Sequence, residues 1–193
     1  ANILPLLKGY EKEEAERLVE RLTLLERQIG LLVQKINAEV ESDEKAQLAM
    51  TVPGIGPITA LAYVAYMGDL SRFDNPHQVS NFIGFVPKVD NSCTIRHSGR
   101  TTKNGNALLR SMLVQAAWGA VRSKDGGALR DKYKYMSQTK GIGKGKSIVT
   151  TARKLGELLY MLLKTNTEYK PQKFILPEVQ ISKLADEALA VNL

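Results

Sequence analysis

Ala46-Gln-Leu-Ala-Met-Thr-Val-Pro-Gly-Ile-Gly-Pro-Ile-Thr-Ala-Leu-Ala-Tyr-Val-Ala-Tyr-Met-Gly68 reads as two apolar helical stretches joined by a tight break at Pro53-Gly54-Ile55-Gly56-Pro57. Pro57 suits the first turn of the second helix, where a missing N–H is harmless. The glycines allow backbone angles that other residues resist. Two readings fit this pattern. In a helix-hairpin-helix, Gly54, Ile55 and Gly56 let backbone N–H groups approach a nucleic-acid phosphate at a helix N-terminus. In a plain αα-hairpin the same glycines serve packing alone. Either way, the stretch makes the fold mainly α.

Upstream, residues 11–50 read as one long helix without proline. Ala15, Leu18, Leu22, Leu25, Ile29, Leu32 and Ile36 alternate steps of 3 and 4, a heptad seam. Charged residues such as Glu16, Arg17, Glu20 and Arg21 fill the other positions. A helix of this span is about 60 Å long, more than a small globule covers. The seam therefore predicts a self-associating coiled coil, with packing on its own domain as the alternative.

Downstream, Asp69–Asn81 reads as a turn and a short helix opened by Asp74-Asn75-Pro76, with Phe73 and Phe82 as burial candidates. Residues 106–122 form a helix whose apolar face is Leu108, Leu109, Met112, Leu113, Ala116, Ala117 and Val121, with Trp118 in the core. Residues 123–146 read as a basic, Gly-rich connection, and 147–165 as a last amphipathic helix. A weak helical pattern (Ile181, Leu184, Ala185, Ala188, Leu189) follows Pro171. No period of repetition appears, which excludes a solenoid.

Between the helices lies Gly84–Asn106, polar, punctuated by glycine and rich in donors, with strand character at Cys93-Thr94-Ile95. So long an irregular, partly extended segment has no core of its own and is expected to be functional or disordered. Ser92 is a candidate nucleophile there, or a loop hydroxyl bonding a turn. Arg96, Arg100, Lys103 and Asn106 are candidates to hold phosphate, aided by the N-terminus of the 106–122 helix. Cys93 with His97 lacks an orienting third group for thiol catalysis, and His97 reads better as a phosphate or turn contact.

Charge supports a polyanionic partner. Residues 1–50 hold 7 Lys/Arg against 10 Asp/Glu, whereas 84–154 hold 15 against 3, although the whole 193-residue chain carries only +7. A one-sided excess of this kind suits phosphate-backbone binding through counterion release. Lys140-Gly-Ile-Gly-Lys-Gly-Lys-Ser147 is not a P-loop, because a lysine replaces its first glycine and no strand precedes it. It reads as a flexible basic loop whose Lys140, Lys144 and Lys146 follow DNA. Asp90, Asp125 and Asp131 are isolated, so no two-metal nuclease centre and no metal ligand set is expected in this chain. One cysteine and two histidines leave neither a disulfide framework nor a structural zinc site. No apolar run reaches the roughly 20 residues of a membrane span, and the start has no secretory pattern. These features predict a cytoplasmic protein, with the lack of an initiating Met fitting a processed or partial chain.

Several of these elements recur together in one order. Val52-Pro-Gly-Ile-Gly-Pro precedes Gly68-Asp-Leu-x-Arg-Phe73, then Gly84-Phe-Val-Pro87, Ser92, Gly99-Arg-x-Thr-Lys-x-Gly-Asn106, Leu109-Arg110 and Ala116-Ala117. Ala152-Arg-Lys-Leu155 with Tyr160 and Tyr169 follows. Over residues 46–170 the chain resembles the C-terminal transposase domain of the IS-one-ten insertion-sequence family, which includes Piv-type DNA invertases and bridge-RNA-guided recombinases.

The resemblance implies a division into a coiled-coil linker (1–50), a transposase C-terminal domain (51–170) and a tail (171–193). It aligns Ser92 with the family's catalytic serine, which cleaves and rejoins DNA strands through a phosphoserine link. Cys93 departs from the glycine usual after that serine, and Ser98 is the fallback. Family members carry an N-terminal RuvC-like domain with four metal-binding acids, so Mg is expected there and no cofactor here. The partners implied are DNA, a structured guide RNA, and further copies of the chain in a dimer or tetramer joined through the coiled coil, with no membrane. Without the RuvC-like acids the chain is expected to be inactive alone. The alternative is a non-catalytic, oligomeric nucleic-acid-binding module.

Overall fold

The computed structural model describes residues 8–92, 95–101 and 104–171, and for 87–92 and 95–101 it describes the backbone. The molecule is mainly α, as the pattern predicts. The described residues divide at Asp43/Glu44 into two compact units.

The first unit is α1 (Tyr10–Ser42). At 33 residues it is about 50 Å long. Its seam residues Leu18, Leu22, Leu25, Ile29 and Leu32 are 46–59% exposed, so the apolar stripe has no cover among the described residues. The single helix expected over 11–50 is interrupted at Asp43, which is extended (φ −108°, ψ 102°). Ser42 and Asp43 are weak helix formers that bond locally instead, and Ser42 Oγ donates to the Glu39 carbonyl. The next helix, α2 (Glu44–Met50), belongs to the second unit and buries Ala46 and Ala49.

The second unit is built around α7 (Lys144–Thr165), which buries eleven residues between Ser147 and Leu163. Against it lie α2, α4 (Pro76–Ile83), α5 (Ala107–Arg122) and α6 (Gly127–Lys134), while α3 (Pro57–Met67) packs on α2 and α5. Asn75 caps α4, accepting the Gln78 N–H, with Pro76 in the first turn as the sequence suggests. Two buried tyrosines tie the layers together through carbonyls: Tyr63 Oη donates to Gly156 O at 2.7 Å and Tyr160 Oη to Phe73 O at 2.6 Å. Gly54 (φ +88°) and Gly119 allow α5 to meet the 51–56 turn, since a Cβ at Gly54 would stand 2.2 Å from the Ala116 carbonyl.

Three expectations need correction. The connection drawn over 123–146 contains α6 and a wide turn at Tyr135–Thr139, where Lys140 N–H bonds to Tyr135 O. Burial of Leu129 and the edge contact of Tyr133 with Trp118 stabilise this segment despite its lysines and glycines. Phe82 and Leu108 are exposed rather than buried, at 41% and 53%. Phe82 instead offers its face to the Arg72 guanidinium, 4.4 Å from the ring centroid. Finally, the irregular segment is an antiparallel hairpin of β1 (Pro87–Ser92) and β2 (Ile95–Thr101). Cys93, Thr94, Thr102, Lys103 and the tail from 172 lie outside the described residues, and with them the helical pattern expected there.

Candidate nucleic-acid interface

The hairpin departs from the helical body at one narrow base. Gly84 ends α4 in a left-handed conformation (φ +86°), with its N–H bonded to the Ser80 and Asn81 carbonyls. Gly105, where the chain returns, fits so closely that a Cβ would lie 2.3 Å from the Phe82 and Ile83 carbonyls. Arg110, one turn into α5, spans the junction. Its Nη1 donates to Ile83 O at 3.0 Å and to Gly105 O at 2.7 Å. Both ends of the hairpin are thus held to the body by one guanidinium, although Ser92 stands at the far end of β1.

Pairing fixes the faces of the hairpin. Directly opposed residues of an antiparallel ladder share a face, and faces alternate along each strand. Ser92 pairs with Ile95 and Asp90 with His97, so these four positions share one face. Arg96 pairs with Asn91 and Ser98 with Val89, on the other. The register therefore separates Arg96, and the fallback Ser98, from the face of Ser92. Arg100 falls near the end of β2, and Lys103 lies outside the described residues. Asn106 is the N-cap of α5, its side-chain oxygen accepting the Leu109 N–H at 3.0 Å. That oxygen is committed to the helix.

At the 51–56 turn the three residues singled out differ in their surroundings. Gly54 is held against the α5 backbone, and Ile55 is buried with its N–H bonded to Val52 O. Gly56 opens α3, and nothing lies within 4 Å of where its Cβ would be. Its packing requirement explains Gly54, which favours the αα-hairpin reading there, while the start of α3 stays accessible beside Gly56.

The lysines expected in a flexible loop occupy a helix start. Lys144 and Lys146 belong to the first turn of α7, and Lys140 precedes it; all three are exposed. Gly143 offers no capping side chain, and no acid lies in that turn. Helix N–H groups and three ammonium groups therefore present positive potential together.

The one buried carboxylate among the described residues, Glu157, is structural. Glu157, 7% exposed, accepts from Ser80 Oγ at 2.6 Å, Arg153 Nε at 3.0 Å and Lys154 Nζ at 2.6 Å. Burial alone would raise its pKa, yet the bonds from Lys154, Ser80 and Arg153 hold it below the ordinary value. Among the described residues no three His, Cys, Asp or Glu side chains come together as a metal site. Among the described residues, too, no helix is long and apolar enough to cross a membrane. Sequence reasoning quoted Arg110 without giving it a role; glycines flanking a polar segment, with an arginine on the next helix turn, are the signal that points to it.

Residues 46–134 match the family model described as Transposase IS116/IS110/IS902 family. A probable family 20 transposase of Pseudomonas aeruginosa is 34% identical over 57% of this chain and 32% of its own length. A transposase for insertion sequence element IS1111A of Coxiella burnetii is 27% identical over 74% of this chain and 39% of its own. A pilin gene-inverting protein of Moraxella bovis is 26% identical over 84% and 49%. The chain thus spans between about a third and a half of the length of these relatives. Over residues 46–134 the chain is thus similar to insertion-sequence transposases and to a DNA-inverting protein.

Proposed function

We propose that this chain is the DNA-handling, serine-bearing part of an insertion-sequence transposase or site-specific recombinase. The observation that carries the reading is that the family match, residues 46–134, encloses the whole Arg110-held hairpin with Ser92 at its far end. In the reaction, Ser92 Oγ attacks the scissile phosphorus and loses its proton, while the bridging strand oxygen leaves and is protonated to a hydroxyl. Attack by a strand hydroxyl on the phosphoserine reverses the step, releasing Ser92 and joining new ends. Arg100 and Lys103 supply positive charge near the attacked phosphate, and Arg96 serves the opposite face. The exposed start of α7, with Lys140, Lys144 and Lys146, and the start of α3 at Gly56 bind backbone phosphates away from the cleavage point.

Metal-binding acids belong, on this reading, to a RuvC-like domain of the longer protein. This chain alone then binds nucleic acid without recombining it. A structured guide RNA is a second partner, and α1 joins copies into the dimer or tetramer that brings such acids to Ser92. The deciding experiment is Ser92→Ala in a protein that includes the RuvC-like domain. DNA binding is expected to persist within about twofold and recombination to vanish, with loss of a covalent protein–DNA adduct. Recombination at the unaltered rate leaves the non-catalytic binding module as the correct reading.

A further inference from the structure

Between α6, α7 and the segment after α7, the second unit has a cavity of about 670 Å³. Leu129 of α6 and Leu158 and Leu162 of α7 form its apolar wall. Lys132 and Lys154 stand at its side, and Tyr169 and Lys170 line it from the segment after α7. That segment is anchored: Tyr169 N–H donates to Thr51 Oγ1 at 3.0 Å, and its hydroxyl reaches the Gly126 carbonyl at 3.3 Å. The volume lies within the roughly 300–1,000 Å³ of small-ligand pockets.

The charge on its lining is unbalanced. Lys132, Lys154 and Lys170 face a single lining carboxylate, Glu168. Lys154 is engaged by Glu157, whereas Lys132 has no hydrogen-bond or ion-pair partner among the described residues. Burial first, then the nearby charges of Lys154 and Arg153, depress the pKa of Lys132 despite Glu157. An anion beside it would relieve that penalty. An apolar wall with a neighbouring unpartnered ammonium matches a flat heterocycle attached to phosphate.

We infer that this cavity receives one unstacked nucleotide of a bound strand, its base against Leu129, Leu158 and Leu162 and its phosphate at Lys132. The inference rests on the nucleic-acid reading above. Extruding a nucleotide from a duplex costs a few kcal/mol, least where the strand is already unpaired. Single-stranded or distorted DNA or RNA is therefore the preferred occupant.

The test uses the full chain and a single-stranded oligonucleotide carrying one 2-aminopurine, whose emission rises when it leaves its stack. Binding is followed in parallel by polarisation. Emission is expected to rise on binding. Leu158→Trp, which fills the cavity, and Lys132→Gln, at its side, should each abolish the rise and weaken binding about tenfold, the scale of one stacked base. Lys140→Ala/Lys144→Ala/Lys146→Ala should weaken duplex and single strand alike and leave the rise at saturation intact. Because Lys132→Gln removes no core atoms, it reads the site even if Leu158→Trp fails to fold. A rise that persists in both variants overturns the inference. So does binding that appears only after removal of residues 172–193, which would make them the occupant. Absence of any polarisation change with either nucleic acid instead sinks the reading on which the inference rests.

Discussion

Glu157 shows how much of this unit depends on one carboxylate. It gathers α4, through Ser80, and two cations of its own helix around a nearly buried charge. Its folded-state pKa lies below the ordinary value near 4.5. The stability it contributes is therefore complete above that value and is lost as pH falls through the lower, folded-state pKa. Glu157→Gln should lower the unfolding midpoint at neutral pH and flatten the acid limb of stability against pH. An acid limb identical to that of the unaltered protein would show that other carboxylates set it. Gly54 tests a different residue-scale force. A methyl there meets the Ala116 carbonyl and sits on a backbone of φ +88°. Gly54→Ala should cost about 1–3 kcal/mol in denaturant titrations. The same substitution at Gly56, which is open, should cost much less. Equal losses at both positions would count against the packing explanation.

At the scale of elements, the hairpin is held at its base. A two-stranded ribbon alone is marginal in water, and this one meets the helical body at Gly84, Gly105 and Arg110. Removing the guanidinium leaves the Ile83 and Gly105 carbonyls short of a donor, at about 1–3 kcal/mol. Arg110→Ala should therefore speed hydrogen–deuterium exchange across 87–101 while the centre of α7 keeps its protection. Unchanged exchange in the hairpin would mean that something other than Arg110 holds it. The hairpin was half legible in sequence. Glycine punctuation and the residues around Ser92 marked a candidate functional segment, but Lys88, Asp90, Asn91 and Arg96 hide the alternation that reveals a strand with a buried face. Asn106 carries a related ambiguity: a polar side chain before an apolar helix serves as a cap or as a ligand contact, and the bond from Leu109 N–H establishes the cap.

At the scale of the molecule, α1 carries its apolar stripe without cover among the described residues, and Leu22 and Ile29 are 56% and 59% exposed. Burying such a seam between copies stabilises at roughly 25 cal/mol per Å². Sedimentation should give a dimer or tetramer at micromolar concentration, and Leu22→Asp/Ile29→Asp should give a monomer whose second unit melts as before. A monomeric unaltered chain would remove the coiled coil from the proposal.

Taken alone, the sequence determined the helical class, the heptad seam, the basic excess over 84–154 and the order of elements shared with insertion-sequence transposases. Each is written in spacing or composition, which are properties of neighbours along the chain. The break at Asp43, the helix over Gly127–Lys134, the pairing that puts Arg96 opposite the face of Ser92, and the cavity beside Lys132 were decided only by tertiary structure. In these cases weak local preferences compete, and contacts between residues distant in sequence select the outcome. Arg110 shows the difference most directly: as a letter it is one more cation, and in the fold it joins the end of α4 to the start of α5.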